Sequence, residues 1–142
     1  MERSLVLVKP DAVERGHGAE ILARIEKSGL KLIALKMLQM SRRLAERHYA
    51  VHKDKAFFPG LIDYITSGPI VAAVFEGEDA VSKIRNIMGK TDPAKADAGT
   101  IRKDFGIDIE KNAIHGSDSA ETAQMEIALY FAGMDEVSYT RK

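Results

Sequence analysis

Two short runs constrain the fold of this chain more than any other feature. Ser4–Val8 is Leu and Val after its serine, and Ile70–Phe75 is apolar at every position. Runs of this length cannot cross a membrane, and each is bounded by breakers: Lys9-Pro10-Asp11 follows the first, Ser67-Gly68-Pro69 precedes the second. They read as buried strands, the second apolar on both faces. The stretches between them carry helical periodicity. Ala19–Lys27 puts Ile21, Leu22 and Ile25 on one face and stops at Ser28-Gly29. Leu32–Met40 returns to strand. Ser41 then serves as an N-cap for a polar helix over Arg42–His52. A short helix is expected over Gly60–Thr66, and another over Ala80–Met88 with Val81, Ile84 and Ile87 or Met88 inward. Gly89 to about Ile109 reads as loop, Ala113-Ile114 as a minimal fourth strand, and Ala120–Phe131 as a last helix. The order predicts an α/β (α+β sandwich) fold of the ferredoxin-like βαββαβ kind, a four-stranded antiparallel sheet covered by helices.

The 142 residues suit one domain, 1–142, with a single core. Twenty-one basic and 21 acidic residues cancel, which argues against a dedicated nucleic-acid binder. There is no cysteine, hence no disulfide and no thiolate metal site. With no apolar stretch of membrane-spanning length and no signal h-region, the expectation is a soluble, cytoplasmic protein.

Three motifs mislead. Gly89-Lys90-Thr91 resembles the end of a P-loop, but Ile84 stands where the earlier glycine belongs and the preceding element is a helix. Gly16-His17-Gly18 lacks the third glycine of a dinucleotide fingerprint, since Ile21 replaces it. His48 and His52 have a spacing that can hold a metal. Tyr49 follows His48 where the zinc-protease pattern has glutamate, and the default reading is two solvated helix histidines.

The run Asn112-Ala-Ile-His115-Gly-Ser117-Asp118-Ser119 carries more chemistry. It sets one imidazole among small residues, hydroxyls and a carboxylate, with Glu126 on the helix that follows. A histidine nucleophile needs little steric cover and a polar group to fix its tautomer. Lys9, Arg85, Thr91 and Arg102 would add a polyphosphate site, because guanidinium forks match phosphate oxygens and lysine adds a point charge. An aromatic such as Phe57 could stack on a base. Each of these has a plainer reading: Lys9 as a solvated strand end, Arg85 paired with Glu78 or Asp79, Phe57 and Phe58 both in the core.

Five ordered segments bring these residues under one reading. They are Leu5–Val13, His48-Tyr49 with Phe57-Phe58, Ser67–Val71, Gly99–Phe105, and Asn112–Ser119. Together they resemble the nucleoside diphosphate kinase family over essentially the whole length, the last segment being the family's signature around its phosphorylated histidine. The resemblance implies a broad-specificity, ping-pong transfer between nucleoside tri- and diphosphates through a phosphohistidine. His115 would be the nucleophile, oriented by Glu126 and Ser117. Lys9 and Tyr49 would lie near the transferred phosphate. Arg85, Thr91 and Arg102 would hold phosphates, Asn112 would bind the ribose and Phe57 would stack on the base. Mg²⁺ would be held mainly by the nucleotide's phosphates, with Asp118 assisting through water and no direct protein ligand. Members form tetramers or hexamers, and a homo-hexamer is the expectation here. The chain departs from the usual pattern at Lys55-Ala56, where Arg-Pro is common, and at Ala98, where a second proline is expected. Competing readings are a nucleotide-binding regulator without turnover, against which the complete residue set argues, and a ferredoxin-like nucleic-acid binder, against which the apolar strands and zero net charge argue.

Overall fold

The computed structural model describes residues 1–142. It contains strands β1 (Glu2–Val8), β2 (Lys31–Leu38), β3 (Ile70–Gly77) and β4 (Ile114–Gly116). Its helices are α1 (Pro10–Glu14), α2 (Gly18–Lys27), α3 (Arg42–His48), α4 (Phe58–Ile65), α5 (Ala80–Met88), α6 (Ile101–Phe105) and α7 (Ala120–Tyr130). Sheet order is β2-β3-β1-β4, and every pairing is antiparallel. This is the expected ferredoxin-like sheet.

The two apolar runs lie side by side at its centre, and their period of two divides the core. Leu5 and Leu7 of β1 with Ile70, Ala72 and Val74 of β3 face one layer, which also holds Ala45, Ile62, Ile65, Ile127 and Tyr130 from α3, α4 and α7. Val6 and Val8 with Val71, Ala73 and Phe75 face the other, against Ile21, Ile25, Ile84, Met88 and Ile101 from α2, α5 and α6. A strand buried on both faces must be apolar at every position, which is why these runs do not alternate.

The structure corrects several expectations. Lys9-Pro10-Asp11 does more than break the strand: Pro10 starts α1, where its fixed φ suits the first helical turn and its missing N–H is not needed. The polar helix ends at His48, and Ala50–His52 forms a separate 3₁₀ turn. The supposed loop from Gly89 to Ile109 contains a 3₁₀ turn at Pro93–Lys95 and α6, whose N-terminus is capped by Thr100 accepting from the Lys103 amide. β4 begins after Ala113, not at it. Ala113 has φ +75°, and the Ile114 amide donates to the Asn112 carbonyl at 2.9 Å. That is a γ-turn of the strained hand, and extended geometry resumes only beyond it. His115 therefore lies within β4, paired opposite Leu7, and does not flank the strand.

Candidate active site

β4 packs closely on α5. A Cβ at Gly116 would stand 2.5 Å from Met88 Sδ and 3.2 Å from Ile84 Cγ2, so only glycine fits without movement. On the same helix Arg85 reaches toward the Gly116 carbonyl at 3.5 Å, not toward Glu78 or Asp79. Opposite, α7 presents Ala123, Glu126, Ile127 and Tyr130 inward, a stripe at helical spacing that carries a carboxylate into the core.

That carboxylate organises the histidine. Glu126 Oε1 lies 2.9 Å from His115 Nε2 and accepts from Ser117 Oγ at 2.7 Å. Ser117 is itself fixed by the Leu5 amide, which donates to its Oγ at 3.3 Å. With Nε2 engaged, Nδ1 is the ring nitrogen open for chemistry. Burial pushes the Glu126 carboxyl up, but the His115 hydrogen bond, the neighbouring imidazoles and the Ser117 hydroxyl outweigh it, leaving the group below the ordinary carboxylate range.

His48 contradicts its solvated reading. It is buried on the inward face of α3 with Ala45, and its ring meets His115 edge-on with centroids 4.8 Å apart. Its Nδ1 lies 2.9 Å from Tyr130 Oη, and Nε2 lies 3.7 Å from Glu126 Oε2. Burial, then the proximity of His115, lowers its pKa from 6.5 to about 3, so it is uncharged near neutrality. The spacing of Ala45 and His48, three apart on a helix, was the available signal for this placement. Tyr130, four residues after Glu126, was legible in the same way.

A cavity of about 670 Å³ opens over this cluster. It collects Tyr49, Arg85, Thr91, Arg102, His115, Asp118 and Glu126. Lys9, Asn112 and Ser117 are buried and do not line it. Lys9 Nζ donates to Asn112 Oδ1 at 2.8 Å, and Asn112 Nδ2 donates to the Thr91 carbonyl at 3.0 Å, which ties both to the rim. Phe57 is 53% exposed and lies outside the cavity, 5.4 Å from the ring of His52, which lines it. Phe58 packs against the core instead. A second hollow, of about 600 Å³ beside Arg3, Gln124 and Phe131, holds none of the candidate residues.

The cavity is electropositive and under-satisfied. Arg102 is buried and donates to the Gly89 carbonyl at 3.2 Å and the Ile114 carbonyl at 2.8 Å. Burial, then Arg85, draws it down to about 10, so it remains a cation. Lys9 falls from 10.5 to about 8, through burial first and Arg102 second. Burial pushes the Tyr49 hydroxyl up, which keeps it protonated. Buried side-chain polar atoms without a hydrogen-bond partner are Ser4 Oγ, His48 Nε2, Tyr49 Oη, His52 Nδ1 and Arg102 Nε. All but Ser4 belong to residues lining this cavity. Orphaned groups in a native interior are rare, and their concentration here marks a place shaped for a polar ligand.

The family model for nucleoside diphosphate kinase matches residues 2–135. The chain belongs to the nucleoside diphosphate kinase family. It is 61% identical to a nucleoside diphosphate kinase of Dehalococcoides mccartyi across the whole of both chains. It is 50% identical to one from Archaeoglobus fulgidus over 99% of this chain and 93% of that protein. Among solved structures it superposes on the Aquifex aeolicus nucleoside diphosphate kinase with TM-score 0.93 and 46% identity, covering 96% and 99% of the two chains. It superposes on a halophilic nucleoside diphosphate kinase from Halobacterium salinarum, solved in complex with CDP, with TM-score 0.95 and 46% identity over 99% and 93%. A divalent metal goes with such a kinase family, and the donor set here suits one that is shared with the substrate. Asp118 is an exposed carboxylate on the cavity, while Glu126 is held by His115 and Ser117. One open carboxylate fits an ion that takes its remaining ligands from phosphates and water. No helix is long and apolar enough to cross a membrane.

Proposed function

We propose that residues 1–142 form one catalytic unit that moves the terminal phosphate of a nucleoside triphosphate to a nucleoside diphosphate through His115. The observation that carries this reading is the engagement of His115 Nε2 by Glu126 at 2.9 Å beside a cavity with unpaired donors. The carboxylate fixes the Nε2–H tautomer and steadies the positive charge that grows on the ring during attack. Nδ1 then donates its lone pair to the γ-phosphorus, the bond from phosphorus to the β–γ bridging oxygen breaks, and the diphosphate leaves. In the second half a terminal oxygen of an incoming diphosphate takes the phosphoryl group, and the N–P bond breaks. One site serves both nucleotides, so the kinetics are ping-pong, as is typical of the family.

Phosphoryl transfer depends chiefly on positioning and on charge stabilisation. In this reading Arg85, Arg102 and Thr91 hold the phosphates, and the Tyr49 hydroxyl and Lys9 ammonium approach the transferred group. Asn112, already holding Lys9, meets the ribose. Phe57 stacks on the base from the rim. Stacking without hydrogen bonds to base edges tolerates any base, which gives the broad specificity. Mg²⁺ would be the metal, Asp118 would help to hold it, and it would supply neutralisation of phosphate charge. The exposed Leu35 and Met37 on the edge strand β2 support a homo-oligomer; the family resemblance favours a hexamer over a tetramer, which light scattering of the purified protein would distinguish.

The test is incubation with γ-labelled ATP and Mg²⁺, followed by intact mass and acid-lability analysis. One acid-labile phosphate on His115, discharged by any nucleoside diphosphate and absent from a folded His115→Gln variant, is expected. Labelling that persists in the variant would remove His115 from the reaction.

A further inference from the structure

His48, His115 and Glu126 bring metal-ligating atoms from α3, β4 and α7 to within 4.8 Å of one another. Glu126 contributes both oxygens, Oε1 2.9 Å from His115 Nε2 and Oε2 3.7 Å from His48 Nε2. A tetrahedral zinc-class ion spaces its ligand atoms about 3.4 Å apart, and the donor atoms here, all within 4.8 Å of one another, would draw in slightly around it. We propose that the three residues form a site for a zinc-class divalent ion, and that this ion holds the unphosphorylated protein in an inactive state. The inference rests on the reading of His115 as nucleophile.

An independent observation points to a ligand. His48 Nε2 is buried and has no hydrogen-bond partner, while its carboxylate neighbour lies beyond hydrogen-bonding reach. The other ring nitrogen is already placed: Nδ1 lies 2.9 Å from Tyr130 Oη, whose hydroxyl points toward Met40 Sδ at 3.9 Å. With the hydroxyl donating to sulfur, its oxygen accepts from His48 Nδ1–H, and the Nε2 lone pair faces the carboxylate. Metal-binding histidines are oriented in this way, one nitrogen toward the metal and the other donating outward. A cation between Nε2 and Oε2 satisfies both. Two imidazoles and one carboxylate suit zinc, whereas Mg²⁺ prefers oxygen ligands and keeps its waters. The site thus discriminates against the ion that travels with the nucleotide.

Binding stops transfer whichever nitrogen of His115 is used. An ion on Nδ1 occupies the attacking lone pair. An ion on Nε2 displaces the proton shared with Glu126, and the neutral ring then carries its proton on Nδ1, which leaves no lone pair to attack phosphorus.

The chain has four histidines, so ring ¹⁵N resonances read the site directly. One equivalent of ZnCl₂ added to metal-free protein is expected to shift the His48 and His115 rings and leave His17 unmoved. The rate of His115 labelling from Mg²⁺ and γ-labelled ATP should fall more than tenfold, and His48→Gln should weaken zinc binding at least tenfold by calorimetry. Shifts confined to His17 or His52, or no shift at all, would overturn the site without any variant having to fold. Shifts at His48 and His115 with an unchanged labelling rate would overturn the inactive state. Labelling in Mg²⁺ alone is measured first: its absence defeats the phosphohistidine reading, whereas the ring shifts still report the metal site.

Discussion

Replacing Lys9 by methionine should make the protein more stable while removing its activity. The ammonium is buried, and its pKa falls from 10.5 to about 8, chiefly because burial disfavours the charge and secondarily because Arg102 is near. At pH 7 the native state therefore holds a proton that the unfolded chain binds more tightly. A shift of that size corresponds to about 3 kcal/mol of destabilisation, full below pH 8 and lost as pH rises toward 10.5. Methionine keeps most of the volume and removes the charge. It also removes the bond to Asn112 Oδ1 at 2.8 Å, a charge-assisted contact of about 1.5–3 kcal/mol by general experience. The net expectation at pH 7 is a gain of about 1 kcal/mol. The sharper expectation concerns pH. The advantage of the variant should shrink by about 2.5 kcal/mol between pH 7 and pH 10, since wild type gains stability as Lys9 loses its penalty. Denaturant unfolding of both proteins at both pH values, at one fixed protomer concentration, measures the difference, and titrating groups that do not interact with Lys9 cancel. A difference that stays flat with pH would refute the assignment of a charge penalty to Lys9.

Three further outcomes follow from the site. Arg102→Ala should raise the nucleotide KM and lower kcat together, because the cavity loses a buried cation; unchanged KM and kcat would place Arg102 outside the site. Gly116→Ala should cost about 1–3 kcal/mol by forcing Met88 and Ile84 aside, visible as a lower denaturation midpoint, and wild-type stability would show that β4 and α5 are not closely packed. Phe57→Ala should weaken adenine, guanine and pyrimidine nucleotides alike, by about 1–3 kcal/mol of stacking, and a selective loss of one base would contradict base-blind binding.

The central strands were legible because full burial leaves a run with no polar position. The helices α2 and α5 were legible from their apolar stripes and stops. What the sequence concealed was where local chemistry is permissive. Lys9-Pro10-Asp11 breaks a strand and starts a helix equally well, so α1 is not separable from a plain breaker in the sequence. Alanine carries no signature of a positive φ, and the γ-turn at Ala113 shifted β4 and moved His115 from the strand's flank into it. His48 sits on a short, mostly polar helix, where two inward positions make a weak stripe. The residue types for phosphate chemistry could be named from the chain, but their convergence depends on sheet order, and no spacing rule encodes that β1 lies between β3 and β4.

The pairing of β1 with β4 also has a temporal meaning. Lys9 and Asn112 touch across 103 positions of chain, and His115 sits opposite Leu7. β1 and β3 are closer in the chain than β1 and β4, so β1 can pair with β3 before β4 joins the sheet. Contacts of such separation form late, after the closure entropy of the intervening loop has been overcome. A nascent chain therefore acquires a folded scaffold first and its imidazole afterwards. In the proposed reaction, a chain in which β4 has not yet paired with β1 lacks a placed imidazole, and competence arrives with that pairing.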